Sequence, residues 1–147
     1  MGVDATVYRR LDELPFTKED LQFVSVDPRT GQLDFDNADL FRTWGDKVKV
    51  VQKRIGNIAL VNLLKAELQR ILGDSNSRTL LIDKVLYSGT HSGDIISKAD
   101  LASLKQEVAK IRESKGHPIS KELDRFLSDM EELVVASEQH DNPIVFV

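Results

Sequence analysis

The sequence predicts an α+β fold, a small sheet of about four to five strands with amphipathic helices packed on one face. Two observations carry this prediction. Both ends of the chain have the alternating or β-branched character of strands, in Val3–Arg10 and in Ile144–Val147. Between them, the stretches after Ser97 and Ser120 place apolar residues three and four positions apart, the spacing that gives a helix one buried face.

Length and composition indicate one globular domain spanning residues 1–147. The chain has no cysteine, which excludes a disulfide framework and favours a reducing, cytoplasmic location. Its net charge is −4, so it lacks the basic excess that binds phosphate backbones, and we expect no nucleic-acid partner. No apolar run is long enough to span a membrane, and the N-terminus lacks the pattern of a secretory signal, so we expect no membrane partner.

The first third of the chain predicts an initial strand followed by a hairpin. Val3–Arg10 alternates apolar and polar side chains, as a half-buried strand does. Thr17 and Asp20 have the spacing of a capping box, which predicts one helical turn. The segment 23–35 predicts a β-hairpin, because a turn with proline and glycine separates two short apolar stretches.

Residues 38–72 are predicted to form two helices or one kinked helix. Apolar residues from Val48 to Ile71 keep a spacing of three and four, and Gly73 is a natural C-terminal stop. A break at Gly56 is compatible with the pattern, because glycine costs about 1 kcal/mol in a helix interior relative to alanine. The two alternatives stay open.

The apolar run Thr79–Tyr87 predicts the central strand of the sheet. A helix capped by Ser97 follows, then a helix from Ser120 to about His140, and finally the terminal strand Ile144–Val147. We expect both terminal strands to share one sheet with residues 79–87, which leaves the helices on one face.

The loop that leaves this predicted strand is the candidate binding site. It combines glycines, hydroxyls, a histidine and an aspartate where a strand meets a helix, and loops held by a rigid scaffold often carry function. Three interpretations stay open: a structural turn, a recognition loop, and a catalytic site in which His91 is a general base oriented by Asp94. No catalytic residue is assigned. The candidate binding residues are Tyr87, Ser88, Thr90, His91, Ser92 and Asp94.

We expect neither a metal nor a cofactor. The histidines, among them His117 and His140, lack the spacing of a zinc-binding helix. Asp34, Asp36 and Asp39 form an acidic cluster, but the glycine and the closing glutamate of a calcium loop are missing. The ordinary explanation of this cluster is a capped helix N-terminus.

Three segments resemble a loose set of small bacterial and phage proteins of unassigned function. They are the start Met1–Asp4, the loop Tyr87–Asp94 with the helix from Ser97, and the late strand Pro143–Val147. The resemblance implies a fold more than an activity. Some small acidic cytosolic proteins of this kind are similar to immunity proteins, which neutralise a partner toxin.

These observations favour a noncatalytic cytosolic protein-interaction domain, an immunity or regulatory protein, that binds a protein partner. The alternative is a small hydrolase or transferase that uses the loop Ser88–Asp94, with His91, Asp94 and a hydroxyl of Ser92 or Thr90 acting together. Whether the chain is an enzyme stays open, and the absence of a complete catalytic constellation favours that it is not. A third interpretation is a homo-oligomer in which Ile144–Val147 is an uncovered edge strand that pairs with a second copy.

Overall fold

A computed structural model describes residues 2–73, 79–87, 93–114 and 118–147. The α+β class is confirmed, with a four-stranded antiparallel sheet, a two-stranded hairpin and four α-helices in these residues. Short 3₁₀ turns and one π-helical segment complete the described part. In chain order the main elements are β1 Gly2–Tyr8, β2 Val24–Val26, β3 Leu33–Phe35, α1 Ala38–Trp44, β4 Lys49–Asn57, α2 Ile58–Leu72, β5 Ile95–Ile96, α3 Leu101–Arg112, α4 Lys121–His140 and β6 Ile144–Phe146.

Both ends of the chain lie in one sheet, as predicted, and they pair with each other in its middle, the place predicted for residues 79–87. The strand order is β4-β1-β6-β5, and Ala5 of β1 pairs with Phe146 of β6. On its other side β6 pairs with β5, where Ile95 is opposite Val145. The terminal strand is therefore an interior strand, and the prediction that it offers an uncovered edge to a second copy is wrong.

The prediction of one or two helices over residues 38–72 is wrong in its middle. After α1, residues Lys49–Asn57 form the edge strand β4, which pairs antiparallel with β1. The spacing of Val48, Val51 and Ile55 fits a helix, but β-branched side chains also suit a strand, and pairing with β1 decides between them. Helix α2 then begins after Asn57, whose side chain accepts the Leu60 backbone N–H at 2.9 Å.

The prediction of a central strand at residues 79–87 is also wrong. The segment is helical, with a π-helical turn over Leu81–Val85. The carboxylate of Glu107 in α3 accepts the backbone N–H groups of Leu80 at 2.9 Å and Leu81 at 3.1 Å. A short apolar run fits a buried strand and a buried helical turn equally well. The helical turn forms here because the distant Glu107 accepts the free N–H groups at its start.

The predicted cap at Ser97 is wrong, because its side chain bonds no backbone N–H of a helix, a 3₁₀ turn follows it, and α3 begins only at Leu101. Three other local predictions are confirmed. Thr17 and Asp20 bond reciprocally, each side chain to the other's backbone N–H, at 3.0 and 3.1 Å. The hairpin is β2 paired with β3, and Ser120 caps α4 by accepting the Leu123 N–H at 3.0 Å. No helix in the described ranges is long and apolar enough to cross a membrane.

The sheet is covered on both faces by different layers. Helices α2, α3 and α4 pack on the face that carries Val3, Ala5 and Val7, where they build the main core. The opposite face carries Tyr8 and Val145, and it is covered by the hairpin and its flanking turns. We call residues 11–46 the hairpin layer. This second layer is thin. Only three of its residues are buried, Thr30, Gly31 and Leu33.

Candidate functional site

The loop predicted as the binding site is described only at its two ends. Ser88, Thr90, His91 and Ser92 lie outside the described residues, and their predicted role stays a prediction. Tyr87 and Asp94 are brought together, since the phenol O–H of Tyr87 donates to Oδ2 of Asp94. This hydrogen bond, aided by burial and by the negative charge of the carboxylate, raises the pKa of Tyr87.

The C-terminal end of this loop is bonded to the sheet and to the hairpin. The Gly93 N–H donates to the Phe146 carbonyl at 2.7 Å, and the Phe146 N–H donates to the Asp94 carbonyl at 2.9 Å. The guanidinium of Arg29, in the hairpin turn, donates to the Gly93 carbonyl. The described C-terminal end of the loop therefore contacts the hairpin layer, although Arg29 and Gly93 are 64 positions apart.

The hairpin layer concentrates the acidic residues of the chain. Residues 11–46 contain nine Asp or Glu against three Lys or Arg, a net charge of −6 in a chain of −4. Three further cations, Arg9, Arg10 and Lys47, lie at the two stems where the layer joins the sheet. Here Arg9 Nε donates to the Lys47 carbonyl at 3.0 Å, and Arg10 pairs with Asp12. The basic groups therefore lie at the base of the layer, and its body is acidic.

The acidic cluster predicted at a helix N-terminus is found there. Asn37 is the N-cap of α1, and its side-chain oxygen accepts the N–H groups of Asp39 at 2.9 Å and Leu40 at 3.1 Å. The ordinary interpretation is confirmed for Asp39, which lies in the first turn of α1, whereas Asp34 belongs to β3 and Asp36 directly follows it. In the described part of the chain no group of three or more His, Cys, Asp or Glu side chains is placed to hold a metal ion.

A row of aromatic rings supports the hairpin layer from within. Phe16 packs edge-on against Trp44, with ring centroids 5.5 Å apart, and against Phe35 at 6.0 Å. Phe35 in turn packs against Phe41 at 6.4 Å. The last ring of the row, Phe41, is 65% exposed to solvent. Edge-to-face contacts of this kind hold rings in defined positions, so Phe41 is exposed on a supported surface.

Two grooves flank the hairpin. The first, beside β2, has a volume of about 590 Å³ and is lined mainly by apolar side chains that include Leu14, Phe16 and Leu21. The second, beside β3 and α1, has a volume of about 820 Å³; we call it the Phe41 groove. Tyr8 forms part of its wall, and burial together with the Asp34 carboxylate raises the pKa of the Tyr8 phenol. Exposed apolar patches rimmed by polar groups are typical of interaction sites.

The end of α4 contacts the hairpin layer, the turn before α3 and the sheet. His140 Nδ1 lies 2.6 Å from Oε2 of Glu13, and Lys98 pairs with Asp141 at 2.8 Å. The Asn142 side-chain amide donates to the Tyr8 carbonyl at 2.7 Å. His140 and Asp141 therefore each have a protein partner. No short-range sequence signal connects His140 to Glu13, because the two are 127 positions apart.

Comparison with known proteins finds no family model, curated protein or solved structure that matches the chain. The resemblance to small bacterial and phage proteins stays an expectation. Sequence reasoning found the aromatic residues of α1 but not the Phe41 groove. The imbalance of charge in residues 11–46 is the one signal in the sequence that points to this layer.

Proposed function

We propose that this protein is a noncatalytic protein-interaction domain that binds a partner protein through the hairpin layer. Immunity and regulatory proteins are the classes of such domains that the resemblance implies. The observation that carries the proposal is the exposure of Phe41, which is 65% exposed at the end of a supported aromatic row and beside an open groove. Aromatic side chains at a groove are the residues that most often dominate the energetics of protein interfaces.

The density of apolar side chains in this layer supports the proposal. Of the nine large apolar side chains that are exposed in the described ranges, the hairpin layer holds four: Leu21, Phe23, Val26 and Phe41. Single exposed apolar residues are common on protein surfaces, but a group that shares one thin layer with two grooves marks a surface suited to a partner. The cytoplasm remains the proposed compartment, because a chain without cysteine requires no oxidising environment.

The hydrolase or transferase alternative gains no support from the described residues. Of its proposed groups, only Asp94 is described, and its carboxylate accepts a hydrogen bond from Tyr87. That hydrogen bond uses Oδ2 and leaves Asp94 able to accept others, so it neither supports nor opposes the role that this alternative gives to Asp94. The homo-oligomer alternative loses its proposed edge strand, since β6 is paired on both sides.

Capture of a partner with matched surface variants tests the proposal. Tagged wild-type protein, Phe41→Asp and Leu63→Asp are compared, since Leu63 on α2 is 67% exposed and is therefore a matched control. We expect one stoichiometric protein to be retained by the wild type and by Leu63→Asp but lost with Phe41→Asp. Retention by Phe41→Asp, or loss only with Leu63→Asp, would show that the hairpin layer is not the binding surface.

A further inference from the structure

Building on the proposed function, we infer that the Phe41 groove takes a cationic segment of the partner protein. One large apolar side chain of that segment packs against Phe41, and its Lys or Arg side chains face the carboxylates of Asp34, Asp36 and Asp46.

The walls of the groove suit an apolar side chain. They include the rings of Phe35 and Phe41 and the side chains of Leu33 and Val48, within a volume of about 820 Å³. Leu33 and Val48 are almost fully buried, at 4% and 5% exposure, so the floor of the groove is part of the packed layer. A rigid apolar floor beside one exposed ring accommodates a side chain of the size of Leu or Phe at little cost in ordering the site.

Carboxylates outnumber the uncompensated cations at the rim of the groove. Asp34 and Asp46 line the groove, and Asp36 lies just outside its lining, directly after β3. All three are exposed, and none makes a salt bridge within the described ranges. The two cations at the groove have nearby partners of their own. Arg42 Nη1 lies 3.5 Å from Asp39 Oδ1, and Lys49 Nζ donates to Gln52 Oε1 at 3.1 Å. Asp39 offsets the charge of Arg42, whereas Gln52 is neutral and leaves Lys49 its positive charge. Asp34, Asp36 and Asp46 against Lys49 leave a net charge of −2 at the groove.

The charge of the whole layer selects among possible occupants. A net charge of −6 over residues 11–46 repels a nucleic acid and an anionic lipid surface, and it also repels the same layer of a second copy. It attracts a basic polypeptide and accelerates its association. A cationic segment with an apolar side chain satisfies both the floor and the rim of the groove.

Titration with synthetic peptides tests this inference directly. The probes are three peptides of equal length, one alternating Lys with Leu, one alternating Glu with Leu, and one alternating Lys with Ser. Trp44 is the only tryptophan of the chain and belongs to the same aromatic row, so its fluorescence reports binding without a label. We expect the Lys–Leu peptide to bind, the other two to bind much more weakly, and added salt to weaken binding.

Two triple variants with the same net charge distinguish the local effect of the carboxylates at the groove from the effect of the protein's overall charge. Asp34→Asn, Asp36→Asn and Asp46→Asn together remove the rim, and Asp83→Asn, Glu113→Gln and Glu122→Gln remove three exposed carboxylates elsewhere. We expect the rim variant to bind the Lys–Leu peptide about tenfold more weakly, the sum of three exposed charge pairs. The control variant should keep the wild-type affinity. Circular dichroism confirms that both variants fold.

Three results would overturn the inference. Equal losses in the two triple variants would mean that only the overall charge attracts the peptide. If the Glu–Leu peptide bound as tightly as the Lys–Leu peptide, the charge of the segment would play no part in binding. Self-association of the wild type that Phe41→Ser abolishes and Leu63→Ser preserves would make a second copy the occupant. Failure of this inference can be told apart from failure of the proposed function. The capture experiment with Phe41→Asp tests the binding surface, and its result does not depend on which peptide binds.

Discussion

His140 Nδ1 lies 2.6 Å from Oε2 of Glu13, and this contact joins the last turn of the longest helix to the start of the hairpin layer. The other carboxylate oxygen of Glu13 accepts the Arg10 backbone N–H at 2.8 Å. Burial alone would raise the pKa of Glu13, but the hydrogen bonds from Arg10 and His140 outweigh it and lower the pKa. Glu13 is therefore stabilised as a carboxylate in the folded protein.

The first prediction concerns Glu13→Gln and pH. A carboxylate whose pKa is lowered by folding stabilises the protein above its unfolded pKa, and this contribution is lost as the pH falls through the folded pKa. We expect Glu13→Gln to lower the free energy of unfolding by about 1–2 kcal/mol at neutral pH. The difference from the wild type should shrink towards zero in strong acid. Urea unfolding at both pH values measures it.

A control for this prediction is Glu19→Gln, which changes an exposed carboxylate of the same layer. The stability of this variant should differ little from that of the wild type at either pH. A deficit of Glu13→Gln that is the same in acid and at neutral pH would show that the ionised carboxylate is not what stabilises this contact.

The second prediction compares two glycines that have nearly the same positive φ. Gly31 has φ 78° and Gly93 has φ 80°, values that side chains with a Cβ rarely adopt. A Cβ on Gly31 would lie only 2.6 Å from Cγ of Asn142, whereas a Cβ on Gly93 would meet no atom of the described residues within 4 Å. We expect Gly93→Ala to cost about 1–2 kcal/mol from the backbone alone.

Gly31→Ala should cost clearly more than Gly93→Ala, because Asn142 must also move and its hydrogen bond to the Tyr8 carbonyl is then disturbed. Thermal or urea unfolding of the two variants gives the difference. Equal losses would indicate that the hairpin turn shifts freely away from Asn142 and is not packed on it.

The third prediction concerns Glu107, which caps the helical segment after residue 79. Its carboxylate accepts the N–H groups of Leu80 and Leu81, two donors with no partner within their own helix. We expect Glu107→Ala to lower the free energy of unfolding by about 1–2 kcal/mol. Glu113→Ala, an exposed change at the end of α3, is the control. Similar stability of the two variants would contradict a capping role.

The fourth prediction concerns the phenol of Tyr87. The hydrogen bond to Asp94 is the main reason that its pKa is raised, so Asp94→Asn should lower the pKa of Tyr87 towards its ordinary value. The chain has two tyrosines, and Tyr8→Phe as the background leaves Tyr87 as the only phenol to titrate. Absorbance of the phenolate against pH measures the shift. An unchanged titration curve would mean that the carboxylate does not bond the phenol in solution.

Local patterns in the sequence predicted most of the elements correctly. The capping residues Thr17 and Ser120 act within three positions of the groups that they bond, so the sequence alone shows their partners. The hairpin and the two terminal strands follow from turn residues and alternation in the same way. The stripe of α4 was equally clear, because a long amphipathic helix has no competing interpretation.

The errors arose where distant partners decide between two local possibilities. The valines of β4 suit a helix and a strand, and pairing with β1 makes the segment a strand. The run at residues 79–87 suits both as well, and Glu107 in α3 makes it helical. The candidate site also combines a feature that the sequence shows with one that only packing decides. The excess of acidic residues is visible in the sequence, but the exposure of Phe41 is not.

The sequence by itself determined the α+β class, the caps at Thr17 and Ser120, the hairpin and the charge of residues 11–46, because each depends on neighbouring residues or on composition. The tertiary structure decided the strand order, the contact of His140 with Glu13 and the groove beside Phe41. These features depend on which surfaces meet and which stay uncovered. That outcome reflects the packing of the whole chain, in which burial at one place leaves a side chain such as Phe41 exposed at another.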